Sequence, residues 1–135
     1  MMGAVSERKV SMLPPNAVCV VEGDGQRRRL LAHSLTAQGF EVAAFENIAS
    51  ASLTELDEAS VLITAERLPD GSFDELRNKL TCGRNTIPII VMAIDSDINS
   101  AVNAFQLGAI DYLTGPISSF EICDVVRRAI TNRTR

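Results

Sequence analysis

Short apolar runs alternate with longer amphipathic stretches from Asn16 onward, and this alternation constrains the fold more than any other feature of the sequence. Each run has the length of a β-strand, and the run beginning at Val61 is rich in β-branched residues. An uninterrupted apolar strand is buried on both faces, as in a parallel sheet that helices cover on both sides. The runs are Ala17–Val21, Phe40–Phe45, Val61–Ala65, Ile87–Ile94 and Ile110–Leu113.

The stretches between these runs carry helix signals. Leu30, Leu31 and Leu35 share a helical spacing, and Gly39 follows them as a helix-stop residue. The predicted helices are 27–38, one capped by Asn47 that runs to about Leu56, one opened by a Ser72–Glu75 capping box, 97–107, and one opened by Ser118 and Glu121. Five strand–helix units in succession predict an α/β fold with a single doubly wound, five-stranded parallel sheet of flavodoxin-like topology.

The length of the chain limits the number of domains, and its net charge argues against some classes of function. At 135 residues the chain can close one hydrophobic core. We expect a flexible tail over residues 1–15, a single domain over 16–132, and a C-terminal tail or the start of a linker over 133–135. The net charge of −4 argues against direct nucleic-acid binding, and the run Arg27–Arg29 is interpreted as a solvated helix face. With neither a signal peptide nor a membrane-length apolar stretch, the sequence predicts a cytoplasmic protein without membrane contact.

The cysteines and the single histidine do not indicate a metal site. Cys19, Cys82 and Cys123 are too scattered for a disulfide framework or a metal-binding motif. Cys19 and Cys123 lie among apolar residues and are predicted to be buried, whereas Cys82 is a candidate for exposure. His33 is predicted on the polar side of the first helix.

Four motifs occur in order along residues 16–132. They are Leu31-xxx-Leu35-xxx-Gly39-Phe40, Arg67-Leu68-Pro69-Asp70, Ile87-Pro88-Ile89-Ile90, and Ala101-Val102-xx-Ala104-Phe105-xx-Leu107-Gly108-Ala109-Ile110-Asp111-Tyr112-Leu113-Thr114-Gly115-Pro116. In this order and at these spacings they resemble the receiver domains of bacterial response regulators, which act in two-component signal transduction and phosphorelays. The resemblance covers nearly all of this range and implies the same flavodoxin-like fold.

The resemblance also implies a specific chemistry at the carboxyl ends of the strands. An acidic pair after the first strand and an aspartate ending the third strand bind Mg²⁺, and that aspartate takes a phosphoryl group from a histidine kinase. A serine or threonine ending the fourth strand and a lysine after the fifth strand hold the phosphoryl group. Carboxylate oxygens suit a hard cation, and phosphoryl transfer needs its charge compensated.

The sequence departs from that pattern at nearly every implied position. The residues found there are Glu22, Gly23 and the following Asp24 for the acids, Ala65 for the phosphoacceptor, Ala93 for the hydroxyl and Gly115 for the lysine. A methyl group cannot attack phosphorus, and neither alanine nor glycine supplies a hydroxyl or a cation. We therefore interpret the chain as an atypical, degenerate receiver (a pseudo-receiver) that has no catalytic residues and is not an enzyme.

Alternatives stay open at this site. A displaced acceptor at Thr64 or Glu66 would need a bulge at the strand end, because a slip of one residue turns side chains to the opposite face of a sheet. Glu22 and Asp24, with no obvious cation nearby, could bind a divalent ion weakly. They could instead be solvated carboxylates, with Asp24 capping the first helix. We expect no cofactor and no resident Mg²⁺.

Tyr112 is the surviving element of the family's switch. In receivers the aromatic residue at this position turns inward when the phosphorylated site pulls in the serine or threonine. Because Ala93 offers no hydroxyl, the ring of Tyr112 is expected either to sit inward permanently or to pack on the last helix with its hydroxyl in water.

The resemblance implies an interaction surface formed by the fourth helix, the fifth strand and the fifth helix, here within residues 97–132. The candidate contacts are Val102, Phe105, Tyr112 and Val126. We expect a protein partner or dimerisation through this surface, by which the domain controls an effector. The other hypotheses are a phosphoacceptor that uses a non-standard site and a sensor that binds a small molecule in the vacated pocket.

Overall fold

The computed structural model describes residues 16–81, 87–94, 98–116 and 118–133. In these residues one sheet of five parallel strands has the order β2-β1-β3-β4-β5, which confirms the predicted doubly wound, flavodoxin-like fold. The strands are β1 (Ala17–Val21), β2 (Glu41–Phe45), β3 (Val61–Ala65), β4 (Ile89–Ala93) and β5 (Asp111–Thr114).

Helices cover both faces of this sheet. They are α1 (Gly25–Ala37), α2 (Leu53–Glu58), α3 (Phe73–Thr81), α4 (Ile98–Gln106) and α5 (Ser119–Arg133). Successive strand residues point to opposite faces, so Leu62 joins the apolar core beneath α2, α3 and α4, while Ile63 joins the core beneath α1 and α5. Every residue of β1 and β3 is buried, as the unbroken apolar runs predict.

The second helix begins later than the sequence suggested. Ser52 caps α2, its Oγ accepting a hydrogen bond from the amide of Glu55 at 3.4 Å. The prediction that Asn47 caps this helix is wrong, because its side chain accepts from the amide of Ser50 at 2.8 Å and closes a local turn. Asparagine and serine serve equally well in caps and turns, so the sequence alone did not separate the two roles.

The other helix boundaries follow their sequence signals. Gly39 has a φ of 96° and ends α1, where the amide of Phe40 donates to the carbonyl of Leu35. The amide of Glu121 donates to Ser118 Oγ at 3.1 Å, in line with the predicted start of α5. The Ser72–Glu75 capping box is half formed. The Glu75 carboxylate accepts from the Ser72 amide, but the Ser72 hydroxyl donates to Asp74.

A short hairpin between β3 and α3 holds the loop that follows β2. Residues Arg67–Leu68 pair with Gly71–Ser72, which places Asp70 in the turn. The Asp70 carboxylate accepts hydrogen bonds from the amides of Ile48 and Ala49 at 2.9 and 3.0 Å. From α3, Lys79 Nζ donates to the carbonyls of Ile48 and Ala51, both at 2.7 Å. Asp70 thus binds backbone amides of this loop and Lys79 binds its carbonyls, which fixes the loop next to the strand ends.

The Asp70 contacts lead to a pH prediction. The hydrogen bond from the Ile48 amide, aided by that from Ala49, lowers the pKa of Asp70 below its ordinary value of 3.8. Since the folded pKa lies below the unfolded one, the contribution of this carboxylate to stability is present above the unfolded pKa and is lost as the pH falls through the folded pKa. A carbon-detected NMR titration of the Asp70 carboxyl should give a midpoint below 3.8; a midpoint at or above 3.8 would contradict the fastening role.

Several remaining predictions concern burial. Cys19 and Cys123 are buried as expected, and burial raises the pKa of the Cys19 thiol to about 12. His33 is exposed on α1. Cys82 and residues 1–15 lie outside the described residues. Among the helices that the structure describes, none has the length and apolar character needed to cross a membrane.

Candidate functional site at the strand ends

The implied site residues lie together at the carboxyl edge of the sheet. Strands β1, β3, β4 and β5 are successive neighbours, and each contributes its end. Ala65 is the last residue of β3 and Ala93 the last of β4, while Glu22 directly follows β1. Gly115 follows β5, where its amide donates to the carbonyl of Ala93 at 2.9 Å. Ligands of open α/β sheets bind at this edge, so the location agrees with the sequence prediction.

The side chains at the centre of this edge are small and apolar. Ala65 and Ala93 are each 8% exposed, so both residues are almost completely buried at this edge. Gly115 has a φ of +71°, and a Cβ built on it would meet no atom within 4 Å. The space beside Gly115 is therefore open, and its backbone conformation favours glycine.

The carboxylate of Glu22 is buried and paired. Glu22 is only 4% exposed, and its Oε1 accepts from Arg27 Nε at 3.3 Å. Its Oε2 accepts from the amide of Asp24 at 3.0 Å and from Arg27 Nη2 at 3.5 Å. The expectation that no cation lies near the two acids is therefore wrong, because the first turn of α1 brings Arg27 back over the end of β1.

The arginine run on α1 serves more than one purpose. Arg28 Nη1 donates to the carbonyls of Glu22 and Gly23 at 2.8 and 3.3 Å, so Arg28 also folds toward the strand end. The prediction that this run forms a solvated helix face holds fully only for Arg29, which is exposed on the same helix. Sequence reasoning missed Arg27 and Arg28; the signal available was their position in the first helical turn after a strand-end acid.

Asp24 caps α1, which confirms one of the two alternatives that the sequence left open for this residue. Its Oδ2 accepts from the amide of Arg27 at 2.9 Å, and its backbone is extended as in an N-cap residue. The Arg27 guanidinium also lies 3.9 Å from the same oxygen. The Asp24 side chain remains 45% exposed, so it is solvated as well as capping.

Gly23 is packed against Pro69 of the hairpin. A Cβ built on Gly23 would lie 2.8 Å from Pro69 Cδ and 2.9 Å from Pro69 Cγ, closer than real Cβ atoms approach. The proline ring thus fills the space that a side chain at the second acid position would need. A carboxylate at position 23 would require the hairpin to move.

This contact predicts the effect of enlarging Gly23. Gly23→Ala should lower the free energy of unfolding by about 1–3 kcal/mol, because overpacking forces a shift of the hairpin. Gly25→Ala is the matched control, since a Cβ there faces only flexible arginine side chains, the nearest atom at 3.2 Å, and alanine favours the start of α1. Urea denaturation of both variants checks the prediction; equal stabilities would contradict the close packing.

The side chain of Tyr112 on β5 contacts the residue that directly follows β3. Its hydroxyl donates to Glu66 Oε1 at 3.0 Å, and its ring packs with the core beneath α2, α3 and α4. The alternative in which it packs on the last helix with its hydroxyl in water is therefore wrong. Tyr112 and Leu113 alternate on β5, and it is Leu113 that packs against the core beneath α5. No sequence signal identified Glu66 as the partner of this tyrosine.

The residues beside Ala65 are engaged in contacts of their own. Thr64 is fully buried, and its hydroxyl donates to the carbonyl of Ala65 at 3.0 Å. The Glu66 carboxylate accepts from Tyr112, and its backbone carbonyl accepts from the amide of Phe73. Neither displaced-acceptor candidate therefore stands free at the strand end.

The candidate interface residues divide between surface and core. Val102 and Phe105 are about half exposed on α4, and Ile98 on the same helix is more exposed still. Val126 is wrong as an interface candidate, because it is fully buried on the side of α5 that faces the sheet. Tyr112 is partly buried by the contacts described above.

Comparison with known proteins identifies the family. The model of the response regulator receiver domain matches residues 18–127. This chain belongs to the receiver-domain family. The "DNA-binding transcriptional regulator NtrC" of Proteus hauseri is 36% identical over 117 residues, which cover 85% of this chain and 24% of that regulator. The "Transcriptional regulatory protein FixJ" of Rhizobium meliloti is 33% identical over 114 residues, which cover 83% of this chain and 55% of FixJ.

Solved structures agree with the fold of this receiver domain. NtrX from Brucella abortus, solved in complex with ATP, has a TM-score of 0.79 at 21% identity, covering 87% of this chain and 27% of NtrX. The BeF3-activated DrrB receiver domain has a TM-score of 0.76 at 24% identity, covering 85% of this chain and 97% of that one. The chain spans about a quarter of the NtrC length and about half of the FixJ length.

Proposed function

We propose that this receiver domain takes up no phosphoryl group and acts by phosphorylation-independent contacts with protein. The observation that carries the proposal is Ala65 at the end of β3, where the family places its acceptor aspartate. Forming an acyl phosphate requires a carboxylate oxygen that attacks phosphorus, and a methyl group has none.

The surrounding residues support the same proposal. A phosphoryl group carries roughly −1.5 to −2 charge near neutral pH and needs donors and cations to hold it. Ala93 offers no hydroxyl, and Gly115 offers no ammonium group at the end of the neighbouring strands. The nearby Arg27 guanidinium is already paired with the buried Glu22. Nucleophile, hydrogen-bond donor and counter-charge are replaced together, which favours a domain adapted to work without the modification.

An NMR experiment with a phosphoryl mimic tests this proposal. Beryllofluoride with Mg²⁺ binds at an acceptor carboxylate, so the amide spectrum of the present chain should stay unchanged when both are added. Amide shifts centred on residues 64–66 would instead indicate a working acceptor and would overturn the proposal. Titration with beryllofluoride in the absence of Mg²⁺ is the control for non-specific effects.

The surface that we propose for protein contact centres on α4. The sequence of α4, Ile98–Gln106, contains no charged residue, and its exposed apolar side chains are those of Ile98, Val102 and Phe105. These three positions follow the i, i+4, i+7 spacing of one helix face. Depletion of charge with exposed aromatic and aliphatic groups is the composition found at the centre of protein interfaces. We therefore propose that α4, β5 and α5 form a dimer or effector-binding surface.

Substitution of Phe105 tests this surface. Phe105→Ser should weaken self-association about tenfold. Truncation of a central aromatic contact lowers the free energy of association by about 1 kcal/mol or more. Sedimentation velocity over a range of protein concentrations measures the effect. Leu30→Ser is the matched control, because Leu30 is exposed on α1, on the opposite face of the sheet. A native chain that stays monomeric at all concentrations, or equal weakening by both variants, would contradict self-association through α4.

The proposed role in a larger system follows from the relatives. In NtrC and FixJ the similar segment is one part of a longer regulator. We propose that this domain likewise controls an effector, through its protein contacts and without a chemical modification of its own.

A further inference from the structure

We infer that Arg27 is a built-in cation at the strand-end site, where it takes the position of a divalent metal ion and closes the site against one. The family implies Mg²⁺ at this edge, and the residues present do not fit that ion. The inference rests on the proposed function only for the location of the site; it concerns which cation neutralises Glu22.

The Glu22 carboxylate is already occupied by hydrogen-bond donors of the chain itself. Both of its oxygens face N–H donors: Oε1 accepts from Arg27 Nε at 3.3 Å, and Oε2 from the Asp24 amide at 3.0 Å and Arg27 Nη2 at 3.5 Å. A magnesium ion needs direct contact with carboxylate oxygen at about 2.0–2.1 Å in near-octahedral geometry. The guanidinium would have to leave before such contact could form.

The burial of the Glu22 carboxylate also imposes an electrostatic requirement. Glu22 is 4% exposed, and a carboxylate buried to that extent needs a compensating charge. Arg27 meets this need from within the chain, and its planar guanidinium suits a carboxylate. Its side chain is 49% exposed, so the cation sits at the mouth of the site, between the buried acid and the solvent.

The other carboxylates that the family implies as metal ligands are absent at positions 23 and 65. Position 23 carries no carboxylate, and Pro69 fills the space where one would stand, 2.8 Å from a Cβ built on Gly23. Ala65 has no oxygen in its side chain. Asp24 uses an oxygen to cap α1 through the Arg27 amide at 2.9 Å. The backbone carbonyls of Glu22 and Gly23 accept from Arg28, which adds a second guanidinium to the same edge.

These contacts make Arg27 the residue whose removal should open the site. With the guanidinium gone, Glu22 and Asp24 are left as two carboxylates near one strand end, and a divalent ion can approach. Two carboxylates and water form a weak site, with a dissociation constant on the order of 1 mM. The native chain should bind at least about tenfold more weakly, because the ion must displace Arg27.

Manganese binding to the full chain tests the inference. Free Mn²⁺ is measured by electron paramagnetic resonance with the native chain, Arg27→Gln, Arg29→Gln and the double variant Glu22→Gln/Arg27→Gln. Arg29→Gln is the matched control, since it removes the same charge from an exposed position on the same helix. We expect at least a tenfold gain in affinity for Arg27→Gln alone, and loss of that gain in the double variant.

The binding data would overturn the inference if the native affinity equalled that of Arg27→Gln, if Arg29→Gln gained as much as Arg27→Gln, or if the double variant kept the gain. A second measurement uses the native chain and does not depend on the folding of any variant. The Arg27 Nε–H signal in the NMR spectrum should stay unmoved on addition of Mg²⁺, and its displacement would also overturn the inference. The proposed function is judged separately, by phosphoryl uptake. A native chain that binds Mn²⁺ as tightly as Arg27→Gln and takes up no phosphoryl group would refute the role of Arg27 and leave the proposed function standing.

Discussion

Leu62→Ala is expected to lower the free energy of unfolding by about 2–5 kcal/mol, the largest effect among the substitutions considered for this domain. Leu62 is fully buried on β3, which lies between β1 and β4 in the sheet. Its side chain faces the core beneath α2, α3 and α4. Truncation to alanine removes apolar contacts and leaves a cavity that the flanking strands, fixed by their hydrogen bonds, cannot close.

Urea denaturation followed by far-ultraviolet circular dichroism measures this loss. Leu30→Ala provides the comparison, since it makes the same chemical change at an exposed position of α1. It should alter the free energy of unfolding by less than about 0.5 kcal/mol. A loss below about 1 kcal/mol for Leu62→Ala would mean that β3 is not buried on this face.

Arg27→Met is expected to lower the free energy of unfolding by about 2–3 kcal/mol. The substitution leaves the buried Glu22 carboxylate with the Asp24 amide but without the cation that pairs with it. Breaking a fully buried pair costs roughly 3–5 kcal/mol, and the expected value is smaller because Arg27 is 49% exposed and water replaces part of its contribution. The reverse change, Glu22→Gln, should cost less, since it leaves Arg27 where solvent can reach it.

The double variant Glu22→Gln/Arg27→Met completes a thermodynamic cycle. We expect it to be more stable than Arg27→Met alone, because the buried charge that Arg27 compensates is no longer present. Arg29→Met serves as the control for removing a positive charge from α1 and should be nearly neutral. Equal stabilities of Arg27→Met and Arg29→Met would contradict the pairing of Arg27 with Glu22.

The topology was predictable because the strands carry a strong and simple signal. The runs beginning at Ala17 and Val61 are apolar at every position but Thr64, and both are buried throughout. The glycine after α1 and the serine before α5 also mark true helix boundaries. The places of Ala65, Ala93 and Gly115 followed from motif spacing, because parallel strands end at one edge of the sheet.

The interactions within the site were less predictable, since they depend on where long side chains turn after the backbone is placed. In the sequence Arg27 is one of three consecutive arginines on a predicted helix, and nothing there distinguishes it from the other two. The structure shows that Arg27 contacts Glu22 whereas Arg29 is exposed. The hydrogen bond between Tyr112 and Glu66 joins residues 46 positions apart. Apolar spacing on α5 did not separate surface from core, which is why Val126 was assigned to the interface.

We expect this receiver domain not to accept a phosphoryl group, and intact-mass measurement tests this expectation most directly. The full chain is incubated with Mg²⁺ and a small phosphodonor such as acetyl phosphate. A receiver domain that carries the acceptor aspartate is treated in parallel to establish that the donor is active. We predict an unchanged mass for the present chain. A species heavier by one phosphoryl group, with the modification mapped to residues 64–66, would contradict it.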